Sequence, residues 1–282
     1  MKEIRFVSAD EAVSHIKSHC HIHLSSVASV PHILIQALCR RADAGEVEDL
    51  HFHHFHTEGP APYSEPRYEG IFFEQGFFVG PNVRANVNAG YADYLPVHLG
   101  ESQKLYRDGF IKLGAALVNV SRPDANGMVS LGTSVDCSVA AVETAELVIG
   151  VINPNVPYAH GDLVSLDRFD YLVEDDTPLV TAHFAEPTPT EVLIGKNCAA
   201  LVEDGDCIQM GIGALPNALA AQLGNHKNLG LHTEMFADGL LRLIKSGVIN
   251  GACKKIDTGK VVASFLLGSQ DVYSFIDDNP DV

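Results

Sequence analysis

The chain is poor in basic side chains: 19 Lys and Arg stand against 36 Asp and Glu over 282 residues, a formal charge of −17. A surface of that sign repels nucleic acid and anionic membranes, so neither is expected as a partner. No run of about 18 apolar residues occurs, which argues against a spanning helix. The opening stretch MKEIRFVSAD holds no apolar signal core, so a cytoplasmic setting is the expectation. None of the six cysteines (Cys20, Cys39, Cys137, Cys198, Cys207, Cys253) forms a CxxC pair, and most sit in apolar runs, as reduced thiols do. Three catalytic signatures are missing as well. There is no GxxxxGK[ST], which removes a P-loop. There is no GxSxG, so a serine hydrolase lacks its elbow. The one GxG, Gly211-Ile212-Gly213, has Pro216 where a dinucleotide fingerprint needs its third glycine.

What is present is ample apolar material, 46% of the residues, enough for two domains of roughly 140 residues each. Ser8-Ala9-Asp10-Glu11 has the spacing of a capping box and predicts a helix to about Ser18. A strand at Cys20–Leu24, a small-residue turn at Ser25–Ser29, a helix over 31–42 and a strand over 50–56 follow, and that strand runs into His56-Thr57-Glu58. The same order returns later. Thr188-Pro189-Thr190-Glu191 is a second capping box with Pro at the first helical position, followed by a strand over 206–210, a turn at Gly211–Leu215 and a helix from Pro216. A strand over 229–232 then runs into His232-Thr233-Glu234. PHILIQAL at 31–38 parallels PNALAAQL at 216–223. Strands at 116–120 and 147–152, with a helix over 134–145 between them, extend the first half; a helix near 239–245, a strand at 261–267 and a helix near 270–277 extend the second.

Strands alternating with helices predict an α/β fold with largely parallel sheets. Two similar domains are expected, 1–187 and 188–282, related by duplication. The second holds about 95 residues against about 187, so a true repeat would lack roughly half of its domain. A fragment, a sheet completed by a partner chain and a smaller second domain all stay open. An unpaired sheet edge would favour association, so a homodimer is one expectation.

In open parallel sheets ligands bind outside the carboxyl ends of the strands, where Glu234 and the 211–215 turn are both expected. Glycines there let a ligand approach the backbone, and the following helix offers free amides. A carboxylate so placed is a candidate acyl nucleophile; a surface or helix-capping Glu is the plain alternative. Glu58 is the rival nucleophile, but its half has Ser25–Ser29 in place of the glycines. The histidines of His51-Phe52-His53-His54-Phe55-His56 alternate between two strand faces with no matched Cys or carboxylate beyond Glu58, so packed histidines are expected rather than a metal site. The hydroxyl-rich turn Ser130–Asp136 reads as a helix cap by Ser134, or as a cleft wall.

Longer stretches carry a family likeness. GIGALPNAL, LGLHTEMFADGLLRLIKSGVING and GKVVASFLLGSQDVYSFIDDNP in the second half resemble the acetyl-CoA hydrolase/transferase family, as do GPNVRANVNAGYADYLPVHL, SRPDANGMVSLGTSVDCSVAAVETAELVIG and NPNVPYAHGD in the first. The closest likeness is to its 4-hydroxybutyrate and butyryl-CoA:acetate CoA-transferases. The resemblance implies two open-sheet α/β domains of the NagB/RpiA/CoA-transferase type. It implies ping-pong transfer of CoA between a short-chain acyl-CoA and a carboxylate, with coenzyme A as co-substrate and no tightly bound cofactor. It places the nucleophile on Glu234, the CoA-binding turn on Gly211, Ile212, Gly213, Ala214 and Leu215, and an oxyanion-binding amide on Ile212. Family members run well past this chain's length, and the part beyond it would carry a second glycine-rich loop. CHIHL at 20–24 departs from the more Val- and Gly-rich stretch such members have.

Overall fold

A computed structural model describes residues 5–182 and 184–282. The chain forms two compact units, the first running to Val180 and the second from Thr181 to Val282.

The first unit contains α1 (Ala9–Ser14), β1 (Cys20–Leu24), α2 (His32–Asp43), β2 (Leu50–His53), β3 (Phe72–Gly76), α3 (Arg84–Ala89), β4 (Ala92–Tyr94), α4 (Leu99–Arg107), β5 (Leu113–Val120), β6 (Met128–Ser130), α5 (Ser138–Thr144), β7 (Leu147–Ile152), β8 (Leu163–Ser165) and β9 (Tyr171–Glu174). Seven of these strands make one parallel sheet in the order β4-β3-β2-β1-β5-β7-β9, while β6 and β8 pair as a separate antiparallel arm. From β1 the chain steps outward to β4, then returns to β5 and steps the other way, so the order reverses between β1 and β5. The inner strands β5 and β7 read as nearly unbroken apolar runs because both of their faces are covered. One face packs on α2, whose Leu34, Ile35, Leu38 and Ala42 form the stripe of a one-sided helix against Ile22, Leu24, Phe52, Leu117 and Ile149.

Two local readings need correction here. Helix α5 starts at Ser138, later than Ser134, because Asp136 holds its first turn. The Ser138 amide donates to Asp136 Oδ1 at 2.8 Å, and Ser134 Oγ supports the same carboxylate at Oδ2, 3.0 Å away. Strand β2 stops at His53 rather than His56.

The second unit contains α6 (Pro189–Ala199), β10 (Cys207–Ile208), α7 (Ala214–Gln222), β11 (Gly230–Phe236), α8 (Asp238–Lys245), β12 (Val262–Leu266) and α9 (Gln270–Ile276). Its three strands form a parallel sheet with β11 in the middle. The capping box at Thr188 is complete: the Glu191 amide donates to Thr188 Oγ1, and the Thr188 amide donates to Glu191 Oε2 at 2.7 Å. Helices α6 and α7 approach closely at Gly195, where a Cβ would come within 2.8 Å of the Ala218 backbone. Helix α8 buries Leu240, Leu241 and Leu243, and α9 buries Val272, Tyr273 and Ile276. Among the described residues no helix is long and apolar enough to cross a membrane.

Candidate functional site

Strand β11 alternates strictly around its centre: Leu231, Thr233 and Met235 are buried, His232 and Glu234 exposed. That period of two puts Glu234 on the open side of the strand. The sequence predicts an end to this strand at His232, with Glu234 at its carboxyl end; the strand instead runs past Glu234 to Phe236. β11 continues through Met235 and Phe236, which pair with Phe265 and Leu266 of β12. On the other flank β10 has already stopped, its last pair being Ile208 with Leu231. Glu234 therefore stands beyond the end of one neighbour and beside the other. Its carboxylate is exposed and has no hydrogen bond or ion pair among the described residues.

The 211–215 turn leaves from the end of β10. Gly211 and Leu215 are exposed; Ile212, Gly213 and Ala214 are half-buried. Gly213 has φ 116° and ψ −175°, a backbone that side-chain-bearing residues rarely adopt, and it is the residue from which α7 starts. The helix opens at Ala214 rather than at Pro216. Pro216 occupies the first turn, where its missing N–H removes no internal bond. The Ile212 amide has no partner among the described residues.

Thr233 ties this turn to β11. The amide of Met210 donates to Thr233 Oγ1 at 3.0 Å. The Thr233 hydroxyl lies 2.8 Å from the Met210 carbonyl oxygen and 3.0 Å from that of Met235, and donates to one of them. Both residues are buried, Met210 at 5% exposure and Thr233 at 4%. This side chain carried no sequence signal apart from its neighbour, Glu234.

The first unit's counterpart differs. Glu58 is half-buried, and its Oε1 lies 3.4 Å from His56 Nε2. The hydroxyl of the buried Thr57 meets Tyr63 Oη at 3.0 Å and accepts from Asn82 Nδ2 at 3.1 Å. Tyr63 Oη in turn lies 3.2 Å from His54 Nε2, and His54 lies 3.5 Å from Glu74 Oε1. Burial pushes the Glu74 carboxyl up to about 8 and the His54 imidazole down to about 3. Sequence reasoning missed Glu74, because only the pairing of β2 with β3, Phe52 against Glu74, puts it in the core.

The other histidines of the 51–56 run are packed on the sheet. His53 Nε2 lies 2.8 Å from His21 Nδ1, burial lowers His53 to about 3, and His51 pairs with Asp49 at 2.9 Å. Among the described residues the grouping with metal-ligand spacing lies elsewhere, at His23, Asp136 and Cys137, all buried. Its polar atoms are already engaged. His23 Nδ1 lies 3.1 Å from Tyr106 Oη and His23 Nε2 lies 3.0 Å from Ser138 Oγ. Asp136 accepts from Ser138 Oγ, the Ser138 amide and Ser134 Oγ. The hydroxyls of the 130–136 turn likewise face inward: Thr133 Oγ1 lies 2.6 Å from Ser29 Oγ.

Two surface clefts occur away from Glu234. One, of about 590 Å³, lies between α7 and α8 and is lined by Asn217, Asp238 and Arg242. The other, of about 690 Å³, lies at the amino ends of β1, β5 and β7. Neither is lined by Glu234 or by the 211–215 turn.

Residues 3–182 match the family model of the acetyl-CoA hydrolase/transferase N-terminal domain. The chain is 38% identical over 279 residues to a succinyl-CoA:acetate/propanoyl-CoA:succinate CoA transferase of Fasciola hepatica, a match that covers 98% of this chain and 58% of that protein. It is 37% identical over 279 residues to a 4-hydroxybutyrate coenzyme A transferase of Clostridium kluyveri, covering 99% of this chain and 65% of the relative. The crystal structure of a 4-hydroxybutyrate CoA-transferase from Porphyromonas gingivalis superposes with a TM-score of 0.85 at 34% identity, over 98% of this chain and 66% of that one. The chain thus spans roughly three-fifths of the two relatives' length. With a family model matched over residues 3–182 and relatives aligned over 98–99% of its length, this chain belongs to the acetyl-CoA hydrolase/transferase family.

Proposed function

We propose that the chain carries the nucleophile of a CoA-transferase, and that the nucleophile is Glu234. The observation that carries this reading is an unpaired, exposed carboxylate on the central strand of a parallel sheet, one residue from the hydroxyl that holds the glycine turn. The names of the relatives support CoA transfer in general. The substrates proposed here are a short-chain acyl-CoA and a carboxylate, 4-hydroxybutyrate or butyrate exchanging with acetate.

The steps balance without any further co-reactant. Glu234 attacks the thioester carbonyl and expels CoA thiolate, leaving a mixed acyl-glutamyl anhydride. The thiolate attacks the glutamyl carbonyl, releases the first carboxylate and leaves a glutamyl-CoA thioester. The acceptor carboxylate then attacks that thioester, and the thiolate it frees takes up the new acyl group. The Ile212 amide has no partner among the described residues and is assigned to the oxyanion of the tetrahedral intermediates. Gly211, Gly213, Ala214 and Leu215 give CoA a close approach to backbone and the first-turn amides of α7. Holding the thiolate beside the anhydride makes its return effectively intramolecular.

One observation favours a second reading for this chain. Glu234 and Gly211 are open to solvent, so water can reach an anhydride formed there, and acyl-CoA hydrolysis would result. Intact mass after incubation with acyl-CoA separates the outcomes. A CoA adduct lost in Glu234→Gln supports transfer. Free CoA without an adduct supports hydrolysis. Neither signal means a non-catalytic piece of the family fold.

A further inference from the structure

We propose that Thr233 is the positioning residue that sets the glycine turn against Glu234, an inference that rests on the reading of Glu234 and this turn as the site. Main-chain pairing of β10 with β11 ends at Ile208 and Leu231. Continued in register, it would bring Met210 opposite Thr233, with main-chain bonds between the strands. The Thr233 hydroxyl replaces them. It accepts from the Met210 amide at 3.0 Å and lies 2.8 Å from the Met210 carbonyl oxygen. With its proton on the nearer Met210 carbonyl rather than on that of Met235, 3.0 Å away, one side-chain atom engages both main-chain polar groups of one residue and holds β10's extension to β11 without letting the ladder continue. The chain is then free to turn at Gly211, one residue past the clamp, just as Glu234 lies one residue past Thr233.

Among the described residues no other side chain bonds the Met210 amide or carbonyl. Met210 and Thr233 are buried, so water does not replace the hydroxyl, and an unmatched amide and carbonyl would remain inside the protein. A β-branched side chain suits the role, since its χ1 is stiff on a strand. The tripeptide alone does not specify the clamp. In His56-Thr57-Glu58 the equivalent hydroxyl goes to Tyr63 and Asn82, and the turn that follows β1 is held by other groups, such as Ser29 on Thr133. The clamp lies two residues from Ile212 and one from Glu234, so loss of this hydroxyl loosens the Ile212 amide relative to the Glu234 carboxylate. Oxyanion stabilisation is steeply sensitive to the distance between them.

Hydrogen exchange tests the clamp in the unsubstituted chain. The Met210 amide should be protected as strongly as those of β11, although it lies outside any strand; exchange at the rate of an open loop overturns the inference. Thr233→Val keeps the shape and removes the hydroxyl. It should speed exchange over 209–213 by about tenfold or more, with β12 and α8 unchanged. In turnover or adduct formation with butyryl-CoA, it should lower kcat by about 10- to 100-fold and leave KM within about threefold. Thr233→Ser should restore both readouts, which a purely packing role of the methyl would not allow. Wild-type exchange and kcat in Thr233→Val would overturn the proposal. Glu234→Gln keeps the two readings apart: if it retains the adduct, the nucleophile assignment fails, while the exchange result still decides the clamp.

Discussion

The tripeptide His-Thr-Glu occurs twice, and the two copies have been put to opposite uses. In the first unit Thr57 and its neighbours turn inward, into a buried chain through Tyr63 and His54 to Glu74, and Glu58 leans on His56. In the second unit Thr233 takes hold of the adjoining turn, and Glu234 stands free in solvent. The difference arises from the strands on either side. β2 ends at His53, and Thr57 beyond it makes only an isolated parallel bridge to Val27; β11 continues to Phe236, so its alternation dictates which side chain faces out. Identical local sequence thus yields a structural knot in one place and an available carboxylate in the other. We propose that the two stretches descend from one duplicated unit, of which the second kept the chemistry.

The comparison breaks most decisively at the two glutamates. Glu234→Gln should cut CoA-adduct formation by about 1,000-fold or more, because an amide is no acyl nucleophile at neutral pH, while Glu58→Gln should cost about tenfold or less. The reverse ranking, read by intact mass and single-turnover rates, would move the nucleophile to the first unit.

A second test uses pH. In the first unit burial depresses His23 to about 4 and His53 and His54 to about 3, and raises Glu74 to about 8. Between about pH 4 and 6.5 the unfolded chain binds the extra histidine protons, so stability rises with pH there. Glu74 acts with the opposite sign: its neutral form is favoured in the fold, so its contribution declines as pH rises from about 4.5 to 8. Burial lowers His21 and His32 as well, and these histidines together outweigh one carboxyl on the acid side. Above pH 6.5 Glu74 is joined by His19, which its bond to Asp49 holds above the usual imidazole value and whose contribution is likewise lost as pH rises. The first unit should therefore be most stable near pH 6.5. Hydrogen exchange resolved by segment at pH 5, 6.5 and 8 should show this maximum in β1–β3 and a flatter response in β11 and β12. A flat first unit would mean that these groups titrate as they do in the unfolded chain.

Packing offers a smaller effect. Gly195→Ala should destabilise the second unit by about 1–3 kcal/mol, read by denaturant unfolding, since the new methyl meets the Ala218 backbone rather than a yielding side chain. The smallest expected difference lies between the two helix caps. Thr188→Ala removes a complete capping box and should cost about 1–2 kcal/mol. At Ser8 only the bond from the Glu11 amide, 3.1 Å long, is formed, so Ser8→Ala should cost about 0.5–1 kcal/mol.

These contrasts also mark what could be read in the sequence. Caps and the glycine turn depend on residues three or four apart, so Ser8, Thr188 and Gly213 were visible in the letters alone. So were β5 and β7, whose unbroken apolar runs announce a strand covered on both sides. Strand ends were not visible. β11 outlasts its expected end because β12 accompanies it to Leu266, and β10 shrinks to Cys207–Ile208 because a side chain takes the place of the ladder. The bond from the Ser138 amide to Asp136, one residue ahead of the N-cap Cys137, was hidden behind the equally suitable Ser134. The burial of Glu74 and the exposure of Glu234 depend on which strands lie alongside, and no window of local sequence records that.

Gly213 shows what kind of constraint guards the turn. No atom lies within 4 Å of the place where a side chain would begin, so bulk is not the obstacle. The obstacle is handedness: reflected through a mirror, φ 116° and ψ −175° become the torsions of ordinary extended chain. A D-alanine introduced there by chemical synthesis would find its preferred backbone, whereas the L-alanine that a single codon change supplies would not. Mutation of the gene can therefore reach only strained alternatives at the point where α7 begins.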